Sequence, residues 1–254
     1  MNFVSLPVHV LGVVPARLAS RRLPRKPLLP LAGEPLILWV VRRVIDARVC
    51  ARVVVATDSP EVVEVVERAG FEAALTSARA ESGTERAAEL VEFPQFRSFD
   101  WILNVQGDEP LVPVAALEGA LACLARGDAL GTAAGNLDPR EAGDPNRVKV
   151  VIGRDGHAAY FSRAPIPFDR DASADVAYHQ HIGVYAYTRE GLARWMRLAP
   201  VPEERWERLE QLRPLLHGIP FGVTAIDAAA TPGVDTADDL QTVETLLARH
   251  LKEA

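Results

Sequence analysis

The chain has 254 residues, 48% of them hydrophobic and 24% charged, and a formal net charge of −6. That balance fits an ordinary soluble globular protein and argues against non-specific nucleic-acid binding, which wants a broad basic face. No apolar run approaches the roughly 18 residues a membrane span requires. The two cysteines, Cys50 and Cys123, form no disulfide framework and suit a reducing cytoplasm.

Leu6 to Ala19 superficially mimics a secretory signal, but it lacks a basic leader and breaks into arginines. It is therefore read as containing the first core strand, Val8 to Val14. Directly after comes Pro15 to Leu28, PARLASRRLPRKPL, where Arg17, Arg21, Arg22, Arg25 and Lys26 place five cations in fourteen residues of an acidic chain. Guanidinium forks and a lysine ammonium match phosphate oxygens, so the loop asks for a local anion. A solvated basic turn is the alternative. Leu36 to Ala47 then has helical spacing, Arg52 to Thr57 is a second buried strand, and Pro60 to Ala69 is a helix stopped by Gly70. Glu72 to Thr76 is a short strand and Thr84 to Val91 a helix. Trp101 to Gln106 is a strand running into GDEP, followed by a helix over Pro113 to Arg126. Unbroken apolar strands alternating with helices predict an α/β fold with a mostly parallel sheet.

The middle of the chain differs. Strands are expected at Gly131 to Asn136, Val148 to Ile152, His157 to Ser162 and Ile182 to Thr188, forming a β-rich lobe at about 130–188. Helices over Arg189 to Leu198 and Glu203 to His217, a strand at Phe221 to Ile226 and a helix over Ala237 to Lys252 complete a single domain spanning 1–254. No internal repeat or flexible linker interrupts it.

Ligands of open parallel sheets bind beyond the carboxyl ends of the strands. The basic loop, Thr57-Asp58 and Gln106-Gly107-Asp108-Glu109-Pro110 all follow such ends. Asp108 is a candidate Mg²⁺ ligand, because Mg²⁺ takes few carboxylates plus substrate phosphates; a turn aspartate is the competing reading. Asp235 precedes Thr236, a candidate cap of the last helix. If Asp235 folds back to face Asp108, the two could share one metal. No dinucleotide fingerprint or Walker loop is present. His179 and His181 would share a strand face but lack a neighbouring Cys or third His for zinc. Ser82-Gly83-Thr84 opens a helix, suited to phosphate or sugar contacts or simply to capping.

The ordered series PARLASRRLPRKPL, VVVATD, ESGTER, NVQGDEP, DPNRVKVV, YFSRAPIPFDRD, HIGVY, LEQLR and GVDT covers nearly the whole length. It resembles the CMP-Kdo synthetase family, the 3-deoxy-manno-octulosonate (Kdo) cytidylyltransferases. The resemblance implies a three-layer α/β/α nucleotide-diphospho-sugar transferase fold, Rossmann-like, with a mixed, mostly parallel sheet. It also implies a cytoplasmic homodimer that uses Mg²⁺ and transfers CMP from CTP to Kdo, releasing pyrophosphate, for lipopolysaccharide biosynthesis. Matched residue by residue, Arg17 and Lys26 would hold the triphosphate, and Asp108 and Asp235 would bind the metal. Pro15, Ala16, Ser20, Ser82 and Gly83 fall in segments that contact nucleotide. Gln106, Arg163, Arg170, His181, Tyr185, Glu210 and Gln211 would line the sugar-acid pocket.

Two departures stand out. The family's first loop usually reads RLPGKPL, whereas this chain has Arg25 in place of Gly. Before Ser82 the family often shows Arg, Asp, His and Gln, whereas here stand Ser77, Arg79, Ala80 and Glu81, in a segment that helps form the base pocket. The same transfer on another sugar acid or nucleotide, or a non-catalytic binder of either ligand, are the alternative functions.

Overall fold

The first apolar run forms β1 (Val10–Ala16), with all seven residues buried. The computed structural model describes residues 9–19, 23–171 and 176–253; Val8, Ser20, Arg21 and Arg22 lie outside the described residues. Next come β2 (Pro30–Leu31), β3 (Glu34–Pro35), α1 (Leu36–Asp46), β4 (Arg52–Thr57), α2 (Pro60–Arg68), β5 (Glu72–Leu75), α3 (Gly83–Leu90) and β6 (Trp101–Val105). The chain continues through α4 (Val114–Ala125), β7 (Leu130–Leu137), β8 (Lys149–Ile152), β9 (Ala158–Ser162) and β10 (Tyr178–Thr188). It ends with α5 (Arg189–Met196), α6 (Pro202–Glu207), α7 (Leu212–Leu216), β11 (Phe221–Ala229) and α8 (Ala237–Glu253).

Two compact units result: the described residues up to Val114 joined by those from Thr231, and Ala115–Ala230. In the first, β6, β1, β4 and β5 lie side by side and parallel, with Val13 opposite both Val54 and Asn104. Their near-continuous Val, Ile and Leu runs suit strands covered on both faces. Helix α8 returns to this unit, packing Val243 and Leu247 with Leu31, Leu36 and Val234. In the second unit β11 pairs parallel with β7, whereas β10 runs antiparallel to β7 and β8, and β8 antiparallel to β9. The α/β reading of the sequence holds, and the β-rich stretch falls inside this second unit. Cys123 is buried and Cys50 partly buried, both as free thiols.

The structure corrects three local readings. The expected helix over Glu203 to His217 is two short helices, α6 and α7, because α6 closes at Arg208, whose φ is 54°. Pro214 is the physical reason, since inside one long helix its ring would clash with the carbonyl of Glu210. In the first turn of α7 no hydrogen bond is lost. The hairpin β2–β3 was not expected; Ala32 and Gly33 both have positive φ, 48° and 85°, as its tight turn requires. Strand β10 also starts earlier than expected, so that it carries both His179 and His181.

Arg25 has a φ of 60° and a ψ of 26°, the left-handed conformation, directly before the short 3-10 turn Lys26–Leu28. The residue that departs from the family glycine therefore still adopts the backbone that favours glycine, at a cost of about 1–2 kcal/mol. Its guanidinium pairs with Glu61 of α2 at the surface, an interaction worth about 0–1 kcal/mol. Arg25→Gly relieves the strain but adds unfolded-chain entropy, so denaturant unfolding should change by less than about 1 kcal/mol. Arg25→Val, β-branched and poorly tolerated at positive φ, should destabilise by about 1–2 kcal/mol.

In the second unit, His157 Nε2 lies 2.8 Å from Asp128 Oδ1 and Nδ1 lies 3.1 Å from Asp155 Oδ2. Hydrogen bonds to Asp128 and then Asp155 raise the imidazole pKa above its usual 6.5. A raised folded-state pKa stabilises below the unfolded value and loses that contribution as pH climbs through the folded one. Thermal melts of His157→Gln should therefore show a larger Tm deficit near about pH 6 than near about pH 9.

Candidate active site

In the first unit the loops after β1 and β6 and the approach to α8 converge on one charged cluster. Lys26 Nζ donates to Asp108 Oδ2 at 2.6 Å and to Asp235 Oδ1 at 3.0 Å. The Lys26 side chain is 17% exposed, against 28% for Asp108 and 36% for Asp235. Burial works against the ammonium charge, but the two carboxylates outweigh it and leave the Lys26 pKa above its ordinary value. The backbone enforces this meeting. Val234, fully buried, donates its N–H to the Asp108 carbonyl at 2.8 Å, which sets the neighbouring Asp235 beside Asp108. Thr236 and Asp239 then cap each other at the start of α8: Thr236 N donates to Asp239 Oδ2 at 2.7 Å, and Asp239 N to Thr236 Oγ1 at 3.2 Å. Asp235 N also donates to Asp239 Oδ2, at 3.0 Å. Asp235 does fold back to face Asp108.

Beside this cluster, Pro15 and Ala16 end β1, and Gln106 and Gly107 follow β6. A Cβ on Gly83 would lie 2.8 Å from Gln106 Nε2 and 3.1 Å from Pro15 Cγ, and one on Gly107 would lie 2.5 Å from the Pro15 carbonyl oxygen. Only glycine lets these segments approach so closely. Ser82 caps α3 by accepting from Glu85 N at 3.1 Å. Gln106, grouped in the sequence reading with the sugar-acid residues, packs with Gly83 and Pro15 of the nucleotide set. Arg17 is exposed and donates to the Glu81 carbonyl at 3.0 Å.

The loop preceding Ser82 is held by a residue that the sequence reading passed over. Arg86, 2% exposed, donates to Thr76 Oγ1 at 2.6 Å and to Asp58 Oδ2 at 3.3 Å, and reaches the Ser77 and Ala80 carbonyls. Glu89 accepts from Ser77 N and Glu85 from Glu81 N, both at 2.7 Å. The segment where this chain departs from the pattern it resembles is thus tied down by its own following helix. ESGTER contains Arg86, but only burial reveals that its charge points inward.

In the second unit, His181, Tyr185 and Gln211 come together, while Glu210 is half-buried in the turn before α7 and Arg170 is exposed in the turn after Phe168. The His181 and Tyr185 rings lie 5.2 Å apart, and Tyr185 Oη donates to Gln211 Oε1 at 3.4 Å. Burial pushes the His181 pKa down to about 3, so its imidazole is neutral. Gln211, 1% exposed, has no hydrogen-bond partner for Nε2 among the described residues. Arg163 is built into the scaffold: Nε donates to the Glu207 carbonyl and Nη1 to the Pro145 carbonyl, both at 2.7 Å, while its N–H donates to Glu207 Oε2 at 2.9 Å. Lys149 is also missed by sequence reasoning. It is fully buried, and Nζ donates to the Asp144 carbonyl at 2.9 Å and the Arg163 carbonyl at 2.6 Å. A lysine inside the apolar strand VKVV was the available clue.

The sequence profile of the cytidylyltransferase family matches residues 11–221. A 3-deoxy-manno-octulosonate cytidylyltransferase of Gemmatimonas aurantiaca is 50% identical over 242 residues, 93% of each chain. One of Polynucleobacter necessarius is 42% identical, covering 98% of this chain and 100% of its own. A solved CMP:2-keto-3-deoxy-manno-octonic acid synthetase complexed with CTP superposes with a TM-score of 0.87 at 37% identity, over 95% of this chain and 99% of that one.

Proposed function

The chain belongs to the cytidylyltransferase family and groups with the 3-deoxy-manno-octulosonate cytidylyltransferases, and from that premise we propose that it transfers CMP from CTP to Kdo. The observation that carries this reading is the convergence of Lys26, Asp108 and Asp235 at the carboxyl end of the parallel strands. In the reaction, the anomeric hydroxyl oxygen of Kdo forms a bond to the α-phosphorus of CTP. The bond from that phosphorus to the β-phosphate bridging oxygen breaks, pyrophosphate leaves with the electron pair, and the hydroxyl proton passes to solvent. Negative charge concentrates at the phosphoryl centre, so positioning and cationic stabilisation dominate.

The donor set fits Mg²⁺. Two carboxylates already converge on one cationic nitrogen, and among the described residues no group of three His, Cys, Asp or Glu side chains could hold an ion unaided. That suits an ion that takes few carboxylates and completes its shell with substrate phosphates. Asp108 and Asp235 would hold it, and when bound it would neutralise phosphate charge and lower the pKa of the attacking hydroxyl. Lys26 and Arg17 place positive charge on the triphosphate, while Pro15, Ala16, Ser82 and Gly83 form the close-packed floor beneath it. Arg170, His181, Tyr185, Glu210 and Gln211 serve the sugar acid, while Arg163 braces the Pro145 and Glu207 backbone and Gln106 stands with Gly83 and Pro15 on the nucleotide side.

On the same premise the product feeds lipopolysaccharide biosynthesis, and the enzyme works in the cytoplasm as a homodimer. Among the described residues no helix is long and apolar enough to cross a membrane. Pyrophosphate release that requires CTP, Kdo and Mg²⁺ together is the expected result. No release with that combination would overturn the reading. A panel of nucleotides compared by kcat/KM tests base preference, which the loop from Ser77 to Glu81 governs.

A further inference from the structure

Thr132 of β7 sits opposite Tyr185 of β10, where the register of the two strands shifts between His181 and Tyr185. Thr132 Oγ1 donates to the Val184 carbonyl at 2.6 Å. The same oxygen lies 3.0 Å from His181 Nε2. A threonine hydroxyl carries one proton, and a carbonyl can only accept. With that proton committed to Val184, Thr132 Oγ1 can serve His181 only as an acceptor. The proton on the neutral ring must then reside on Nε2, leaving Nδ1 with an open lone pair.

The ring cannot easily turn to escape this. Phe161 stands edge-on to it at 5.2 Å, Tyr185 tilts against it at the same distance, and its backbone N–H donates to the Val148 carbonyl at 2.8 Å. Among the described residues Nδ1 has no hydrogen-bond partner. Across Tyr185, the buried Gln211 offers the opposite chemistry, an amide Nε2 whose protons have no partner among the described residues. A fixed acceptor and a fixed donor flanking one tyrosine suit neutral hydroxyls, each of which donates and accepts once. A carboxylate, with no proton to give, would be repelled by the Nδ1 lone pair.

We propose that Thr132 is a positioning residue that locks His181 as the Nε2–H tautomer, so that Nδ1 accepts a hydrogen bond from a hydroxyl of the sugar acid and not from its carboxylate group. The substrate part of this rests on the transfer reaction proposed above; the tautomer does not. Long-range ¹H–¹⁵N correlation spectra of the histidine-labelled protein, with His181 identified by its loss in His181→Gln, should show a proton-bearing Nε2 and a bare Nδ1. Thr132→Val, which leaves Nε2–H without its acceptor, should make the Nε2–H tautomer the minor form and raise KM for Kdo about tenfold, with KM for CTP nearly unchanged. Thr132→Ser should restore both the spectrum and KM. A proton on Nδ1 or a doubly protonated ring in the wild-type protein overturns the proposal, as does a Thr132→Ser variant as impaired as Thr132→Val. Should Thr132→Val fail to fold, the wild-type spectrum and Thr132→Ser still decide. The expected tautomer in a protein that releases no pyrophosphate from CTP and Kdo would overturn the transfer reading and leave the Thr132–His181 assignment standing.

Discussion

Lys26→Ala is expected to reduce kcat for pyrophosphate release by about a hundred- to thousandfold, the usual effect of deleting one preorganised charge at a phosphoryl or oxyanion centre. The ammonium stands between Asp108 and Asp235 and pairs with both. Removing it leaves two carboxylates facing each other and takes positive charge from the triphosphate. Asp108→Ala and Asp235→Ala should each lose activity on a similar scale, because under the proposed reaction each would remove one of the two carboxylates offered to the divalent cation. All three side chains reach solvent, so the variants should stay folded and the loss should lie in turnover. Circular dichroism and steady-state kinetics together check this. A Lys26→Ala enzyme retaining more than about a tenth of wild-type kcat would show that the cluster is structural.

Lys149→Met is expected to destabilise the protein by about 2–4 kcal/mol in denaturant unfolding, the largest stability effect foreseen here. Methionine matches the stem of lysine but donates nothing, so the carbonyls of Asp144, Arg147 and Arg163 lose a shared donor in the interior. Because Lys149 pins the backbone at Arg163, whose guanidinium in turn grips the Pro145 and Glu207 carbonyls, the damage should spread through the turn at 144–147. The readout is the unfolding midpoint at unchanged slope. An unchanged midpoint would mean that those carbonyls find water as readily as the ammonium.

Much of the α/β fold was legible because its determinants are local. Apolar runs such as RVVVAT and WILNV are long enough to mark buried strands, and Pro60, Gly70 and Gly127 punctuate the helices between them. The single helix expected over Glu203 to His217 is broken for an equally local reason, Pro214, which one continuous helix would not accommodate. Members of the candidate cluster were legible where their loops follow strand ends, as Asp108 follows β6 and the loop carrying Lys26 follows β1. Arg86, Lys149 and Thr132 were not singled out. Their residue types are ordinary, and their importance comes from burial and from partners elsewhere in the chain.

Residue order alone reveals the alternation of strands and helices, the cationic loop opening at Arg17 and the unusual Arg25 within it. It could not show that Arg25 keeps the left-handed backbone of the glycine it replaces and turns its charge toward Glu61. Nor could it join Lys26 to Asp235, 209 residues away. That contact exists because α8 buries Val243 and Leu247 against Leu31 and Leu36, while Val234 hydrogen-bonds to the Asp108 backbone. Hydrophobic packing of the last helix thus brings Asp235 to the cluster formed with Lys26 and Asp108. Tautomer, burial and charge pairing are properties of neighbours in space, and only tertiary structure supplies those neighbours.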